Sequence, residues 1–171
     1  MKIALYIGDH SGDTLAARLG WAVTRLGQKG NFAQVTHVEA IHAEHSDGTV
    51  TIASASIREG SLRTGSKNGV RTKSGVRLAE GHWRIIDVPA WSVQASTEWF
   101  AEHDGEPYDL RGAFATAWPM QWSQSGRWFC NQAVAARFLD SAGSFGPALF
   151  SSVAVSFGHE ITNDFFLARR P

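Results

Sequence analysis

The chain contains a single cysteine, Cys130, and this residue is the candidate for covalent chemistry. Apolar residues recur at helical spacing between residues 128 and 140, which predicts a helix with Cys130 in its first turn. Unpaired N–H groups at the start of a helix favour negative charge, so a thiol there ionises more easily. A thiolate attacks carbonyl carbon. The alternative interpretation is that Cys130 is a small, buried hydrophobic residue.

His37 is the candidate base. It lies in a predicted strand, residues 35–41, where alternation puts its side chain on the same side as that of Glu39. An Asp-Gly pair at residues 47–48 predicts a hairpin turn, and residues 49–56 form the returning strand. We therefore expect His37 and a serine of that strand to be cross-strand neighbours, with Ser54 on the core-facing side.

A metal site is the alternative role for the histidines of this hairpin, His37, His42 and His45. His37 and His42 are an odd number of residues apart, so a regular strand turns them to opposite faces, and the helical zinc-binding pattern is absent. We interpret His42 and His45 as solvated polar residues and expect no metal. The loop at residues 8–13 lacks the spacing of a phosphate-binding loop, so no nucleotide cofactor is expected either.

The composition indicates one soluble domain that spans residues 1–171. Hydrophobic residues make up 43% of the chain and aromatic residues 11%, which is enough for a proper core. The 16 basic residues balance the 16 acidic ones, so nucleic acid is an unfavourable partner. Neither a signal peptide nor an apolar run of membrane-spanning length is visible, and we expect a cytoplasmic protein without a membrane span.

The segment between residues 57 and 82 is polar and rich in glycine, and it is predicted to be a long loop. Six basic residues and one acidic residue lie between Arg58 and Arg77. Residues 58–77 are therefore expected to be mobile or to form a flap that could hold an anionic group, although a solvated basic loop is equally compatible. Together with exposed tryptophans, this segment also raises the alternative of an anion- or nucleic-acid-binding domain, against which the zero net charge argues.

The remaining elements define the fold class. Hairpin-linked strands with helices segregated along the sequence predict an α+β fold with a mainly antiparallel sheet. Three aromatic and apolar residues near the C-terminus, Phe165, Phe166 and Leu167, are expected to hold the tail against the core. The other predicted strands are residues 2–7, 83–88 and 148–157, and the other predicted helices are residues 14–26, 92 or 96 to 102, and 113–117.

Three landmarks follow one another in an unusual order: His37 on a strand, Tyr108 before a short helix, and Cys130 opening a helix. This order resembles the circularly permuted branch of the NlpC-type papain-like cysteine hydrolases, which lecithin–retinol acyltransferase-like proteins share. In that branch the histidine precedes the cysteine. The resemblance extends over about residues 2–139. It implies a permuted papain-like fold, with an antiparallel sheet or a small barrel packed against the cysteine helix.

The resemblance also implies roles for individual residues. Cys130 matches the nucleophile and His37 the general base. Ser54, which precedes a small residue, falls where a polar residue orients the imidazole, and Glu39 is its rival. Tyr108 resembles a tyrosine that helps to bind the oxyanion. The usual Cys-Ser-Glu triplet of the family is Cys-Asn-Gln at residues 130–132 here, which is a departure from the pattern.

The function that follows is a cysteine-dependent hydrolase or acyltransferase, similar to a peptidase or amidase. It would act on an amide, ester or thioester bond of a peptide-, lipid- or acyl-containing substrate. The alternative is a catalytically silent relative that serves as a binding or structural module. Two features favour that alternative: a serine is a weak orienting residue, and the triplet departs from the family pattern.

Overall fold

The computed structural model describes residues 1–8, 34–57, 68–115, 125–138, 156 and 158–169, which contain an open antiparallel sheet. This confirms the α+β class, with a sheet and not the small barrel that the sequence left as the alternative. The sheet has the order β4-β3-β2-β1-β5-β6. Its strands are β1 (Lys2–Tyr6), β2 (His37–Glu44), β3 (Val50–Ser56), β4 (Gly69–Val76), β5 (Trp83–Asp87) and β6 (His159–Glu160). The described helices are α1 (Val93–Glu102), α2 (Leu110–Ala115), α3 (Cys130–Ala135) and α4 (Thr162–Leu167).

Both faces of the central strands are buried. Ile3 pairs with Ala40 and Leu5 with Val38, so these side chains share one face of the sheet. They belong to a core cluster that α1 and α3 complete. The opposite face carries a second cluster, which α4 covers with Phe165 and Phe166. The central strands therefore form a rigid support for residues at their ends.

The β2–β3 hairpin forms as the sequence predicts. The turn is closed by the Asp47 carboxylate, which accepts from the Thr49 backbone N–H at 2.9 Å, and Gly48 adopts a φ of 79°. The ladder then shifts register, because Ile41 pairs with Ile52 whereas Ala43 pairs with Thr51. The intervening His42 is the extra residue of a β-bulge. A bulge redirects side chains, and here it turns His42 toward α1.

The expectation of a long loop is wrong for Gly69–Val76, which forms β4 against β3. Val70 is the buried apolar side chain of this strand, and most of the others are polar. This composition is typical of an edge strand, where charged residues discourage further pairing. The apolar alternation that would have predicted a strand is therefore missing. Residues 58–67 lie outside the described part of the chain.

Two helices begin at residues other than those predicted. The helix expected at residues 113–117 begins at Leu110, because Asp109 caps it by accepting from the Gly112 N–H at 2.8 Å. The cysteine helix begins at Cys130 and not at residue 128, and it ends at Ala135. Trp128 is instead extended: its N–H donates to the Pro107 carbonyl at 3.1 Å. Cys130 is consequently the first residue of α3.

Other expectations have mixed outcomes. The predicted helix that ends at residue 102 is confirmed, with Ser92 as its N-cap. Phe165 and Phe166 are buried as expected, whereas Leu167 is 56% exposed and does not hold the tail. The predicted helix 14–26 lies outside the described residues. So does the predicted strand 148–157, except for Ser156, which is helical and not extended.

Candidate active site

The structure brings Cys130 and His37 into contact. Helix α3 packs on β2 and β3, and this packing places its first residue at the N-terminal end of β2. Cys130 is buried, at 4% exposure, and its thiol lies close enough to the His37 imidazole to raise the pKa of that ring. A thiol and an imidazole in this relation are the two groups that nucleophilic cysteine chemistry requires.

The second partner of His37 is Glu39. Oε1 of Glu39 lies 3.0 Å from Nε2 of His37, and both side chains are buried. Alternate residues of a strand point to the same side, so two positions along β2 suffice to bring these side chains together. The carboxylate of Glu39 thus contacts the same imidazole that lies beside the Cys130 thiol.

The two contacts of His37 determine its protonation. Burial alone lowers the pKa of His37, but the hydrogen bonds to Cys130 and Glu39 and their charges outweigh it. The net result is a pKa above the ordinary value for histidine. The imidazolium form is therefore favoured inside the fold, and an imidazolium is the partner that stabilises a thiolate.

Arg71 extends this row of charged groups. Its Nη2 lies 3.7 Å from Oε1 of Glu39, at a side-chain exposure of 17% for Arg71 and 6% for Glu39. The sequence placed Arg71 in a basic loop that was available to a substrate. The structure places it in β4 and turns it toward Glu39. The polar pattern of β4 gave no signal that one of its arginines would point inward.

Ser54 is deeply buried, at 1% exposure, but its hydroxyl group is engaged with the backbone. It donates to the Val38 carbonyl at 2.6 Å. The hydrogen-bond partner of His37 Nε2 is the accepting carboxylate of Glu39, the rival that the sequence also offered. In this geometry the carboxylate, and not the serine hydroxyl, is placed to orient the imidazole.

Tyr108 lies close enough to Cys130 for their charges to interact. Two isolated bridges position its segment, one between Gly69 and Pro107 and one between Tyr108 and Trp128. Burial, followed by the charges of Cys130 and Asp109, raises the pKa of Tyr108 well above its ordinary value. The phenol consequently stays protonated and remains able to donate a hydrogen bond.

Two amide side chains occupy the first turn of α3 beside the thiol. The Cys130 thiol donates to Oδ1 of Asn131 at 3.6 Å, and Asn131 is fully buried. Gln132 is also buried, and its Oε1 has no hydrogen-bond partner in the part of the chain that the structure describes. In the sequence these two residues stand out only as departures from a family triplet. Polar residues in the first turn of a buried helix were the signal that they lie at the site.

The other histidines of the hairpin have separate partners. His42 was expected to be solvated, and this is wrong: its Nε2 lies 2.9 Å from Oγ of Ser96 and its ring packs edge-on against Phe100. Burial lowers the pKa of His42 to about 4. His45 is exposed and contacts Oγ1 of Thr51 at 2.9 Å. Among the described residues, no group of three or more His, Cys, Asp or Glu side chains is arranged to hold a metal ion.

No known protein family matches this sequence, and neither a curated protein nor a solved structure shows significant similarity to it. Across the described ranges, the structure contains no helix with the length and apolar character needed to cross a membrane.

Proposed function

We propose that this protein is a cysteine-dependent hydrolase or acyltransferase with a permuted papain-like fold. Cys130 is the nucleophile and His37 the general base. The observation that carries the proposal is the contact of the buried Cys130 thiol with His37, whose Nε2 lies 3.0 Å from Glu39. A nucleophile, a base within reach of it and a third group that orients the base are the three parts of a catalytic triad.

The two ring nitrogens of His37 have different partners in this mechanism. Because Nε2 is engaged with Glu39, we assign Nδ1 as the atom that exchanges a proton with the thiol. Glu39 fixes the orientation of the ring and stabilises the imidazolium, the role that the resemblance offered to Ser54. The carboxylate stays ionised throughout, as in other triads.

The proposed reaction passes through a thioester on Cys130. The Cys130 sulfur attacks a carbonyl carbon of an amide, ester or thioester, and the proton of the thiol passes to His37. The tetrahedral oxyanion is held by the Tyr108 hydroxyl and the backbone N–H of Cys130, at about 2.7–4 kcal/mol for a well-placed donor. His37 protonates the leaving group, and a thioester forms on Cys130. Water or another acceptor releases the acyl group. A peptide, a lipid or another acyl compound satisfies these requirements.

The second candidate is a catalytically silent module. The 4% exposure of Cys130 favours it, since a substrate carbonyl must reach the sulfur. A silent protein would keep the same residues for packing. Its thiol would form no acyl intermediate.

The two candidates are separated by acyl transfer to the protein. The native protein is incubated with p-nitrophenyl acetate, and the intact mass is measured over time. We expect one acetyl group per chain, located on Cys130, absent in Cys130→Ala and strongly slowed in His37→Ala. His45→Ala is the matched control, because His45 is exposed and contacts Thr51 instead of the site. Acetylation that is equally fast in His37→Ala would contradict the proposal, as would the absence of any acetyl-Cys130.

A further inference from the structure

This inference rests on the Cys130–His37 site proposed above. We infer that Arg71 is a positioning residue of that site. It holds the Glu39 carboxylate against His37 and balances its charge, so that the thiolate–imidazolium pair can form in a buried environment.

The sheet register explains how Arg71 reaches Glu39 across an intervening strand. Arg71 of β4 pairs with Ser54 of β3. The β2–β3 ladder pairs Ala40 with Ala53, and continuing this register by one residue puts Ser54 opposite Glu39. The three residues thus form a row on one face of the sheet. Ser54 has a short side chain whose hydroxyl turns to the Val38 carbonyl, so the long side chain of Arg71 can pass over it.

Glu39 depends on this contact for its orientation. Oε1 of Glu39 serves both His37, at 3.0 Å, and Arg71, at 3.7 Å. Its Oε2 is buried and has no hydrogen-bond partner among the described residues. Without Arg71, His37 would be the one cationic partner of the carboxylate among the described residues. A buried carboxylate that loses one of two cationic partners is strongly disfavoured, so it would turn or take up a proton.

The charges of the row give the direction of the effect. In the reactive state Cys130 and Glu39 are negative while His37 and Arg71 are positive, and the four charges sum to zero. If a neutral residue replaces Arg71, the reactive state buries a net negative charge, and the thiolate becomes harder to form. Among the described residues, the other titratable groups around the site are the Tyr6 phenol, on the strand paired with His37, Tyr108, whose charge interacts with that of Cys130, and Asp109 beside Tyr108.

The test is the pH dependence of iodoacetamide alkylation, which reports only Cys130 because the chain has no other cysteine. In Arg71→Met we expect the midpoint of the rate profile to rise by about one pH unit, which lowers the rate at pH 6 about tenfold. Arg71→Lys, which keeps the charge, restores most of this loss. Arg77→Met is the matched control, since Arg77 donates to the Asp47 carbonyl away from the site, and its profile should equal that of the wild type.

A second variant tests the path of the side chain. Ser54→Leu fills the space over which Arg71 passes, and we expect it to reproduce the shift of Arg71→Met. This variant and Arg71→Gln decide the question if Arg71→Met does not fold. A folded Arg71→Met protein with the wild-type profile would overturn this inference and leave the proposed function standing. A wild-type profile equal to that of a free thiol would overturn both.

Discussion

Glu39 Oε1 lies 3.0 Å from His37 Nε2, although the two residues are only two positions apart on β2. In the proposed mechanism this contact gives the orienting role to Glu39 and not to Ser54, whose hydroxyl donates to the Val38 carbonyl. We predict that Glu39→Gln slows alkylation of Cys130 at pH 6 about tenfold, because the imidazolium loses its carboxylate. Ser54→Ala should change this rate by about twofold at most. The opposite ranking of the two variants would return the third role to Ser54.

Tyr108 should matter for acyl chemistry and not for simple alkylation. Its raised pKa keeps the phenol protonated, so it can donate to an oxyanion. Tyr108→Phe is expected to slow acetylation by p-nitrophenyl acetate about 10²-fold, the effect of losing one such donor. Alkylation by iodoacetamide forms no oxyanion and should keep its rate. If both reactions slow together, Tyr108 supports the packing of the site and does not act as a donor.

The half-buried His42 should make the fold sensitive to acid. Its pKa falls from an ordinary 6.5 to about 4, so between these values the unfolded chain binds a proton that the folded chain rejects. The stability that neutral His42 contributes is thus fully present above about pH 6.5 and is lost as the pH falls toward 4. Since the side chain is partly exposed, we expect a loss on the order of 1–2 kcal/mol.

Urea unfolding at pH 7 and at pH 4.5 measures this loss. The neutral variant His42→Gln, which can still bond Ser96, should lose less stability between the two pH values than the wild type. The exposed His45→Gln variant should lose as much as the wild type. Equal losses in wild type and His42→Gln would show that His42 is not the group responsible.

Gly69 fixes the segment that carries Tyr108. It has a φ of 151°, and a Cβ there would meet the Glu106 carbonyl oxygen at 2.0 Å. Gly69→Ala should therefore destabilise the fold by about 2–4 kcal/mol. Gly75→Ala is the control: Gly75 also has a positive φ, of 72°, but nothing lies within 4 Å of its added Cβ. Gly75→Ala should lower the free energy of unfolding by about 1 kcal/mol. Similar unfolding free energies for both variants would refute the close approach.

Local sequence patterns predicted the elements that are regular and apolar. The apolar run of β1, the alternation in β2 and β3, the Asp47–Gly48 turn and the Ser92 cap each carry a local signal, and the structure contains all of them. The edge strand β4 has almost no apolar residues, and its pairing partners, not its own sequence, make it a strand. The bulge at His42 is a property of two strands in register, so no single periodicity reveals it.

The sequence also predicted part of the site, namely those features that the order of residues along the chain indicates. The order of His37, Tyr108 and Cys130 along the chain suggested which residues meet. The partners of His37 were harder to choose, because side-chain rotamers decide whether Glu39 or Ser54 reaches the ring. Arg71 was assigned to a loop because nothing local indicates that an arginine of an edge strand reaches across its neighbour.

The most direct test of the account is the pH–rate profile of iodoacetamide with native protein, compared between wild type and His37→Ala. A free cysteine reacts with a midpoint near pH ~8.5. We predict that wild-type alkylation stays fast well below pH 8 and that His37→Ala moves the midpoint back toward that of a free thiol. Slow reaction at every pH until urea unfolds the protein, or a wild-type profile that His37→Ala leaves unchanged, would contradict the assignment of Cys130 and His37 as a catalytic pair.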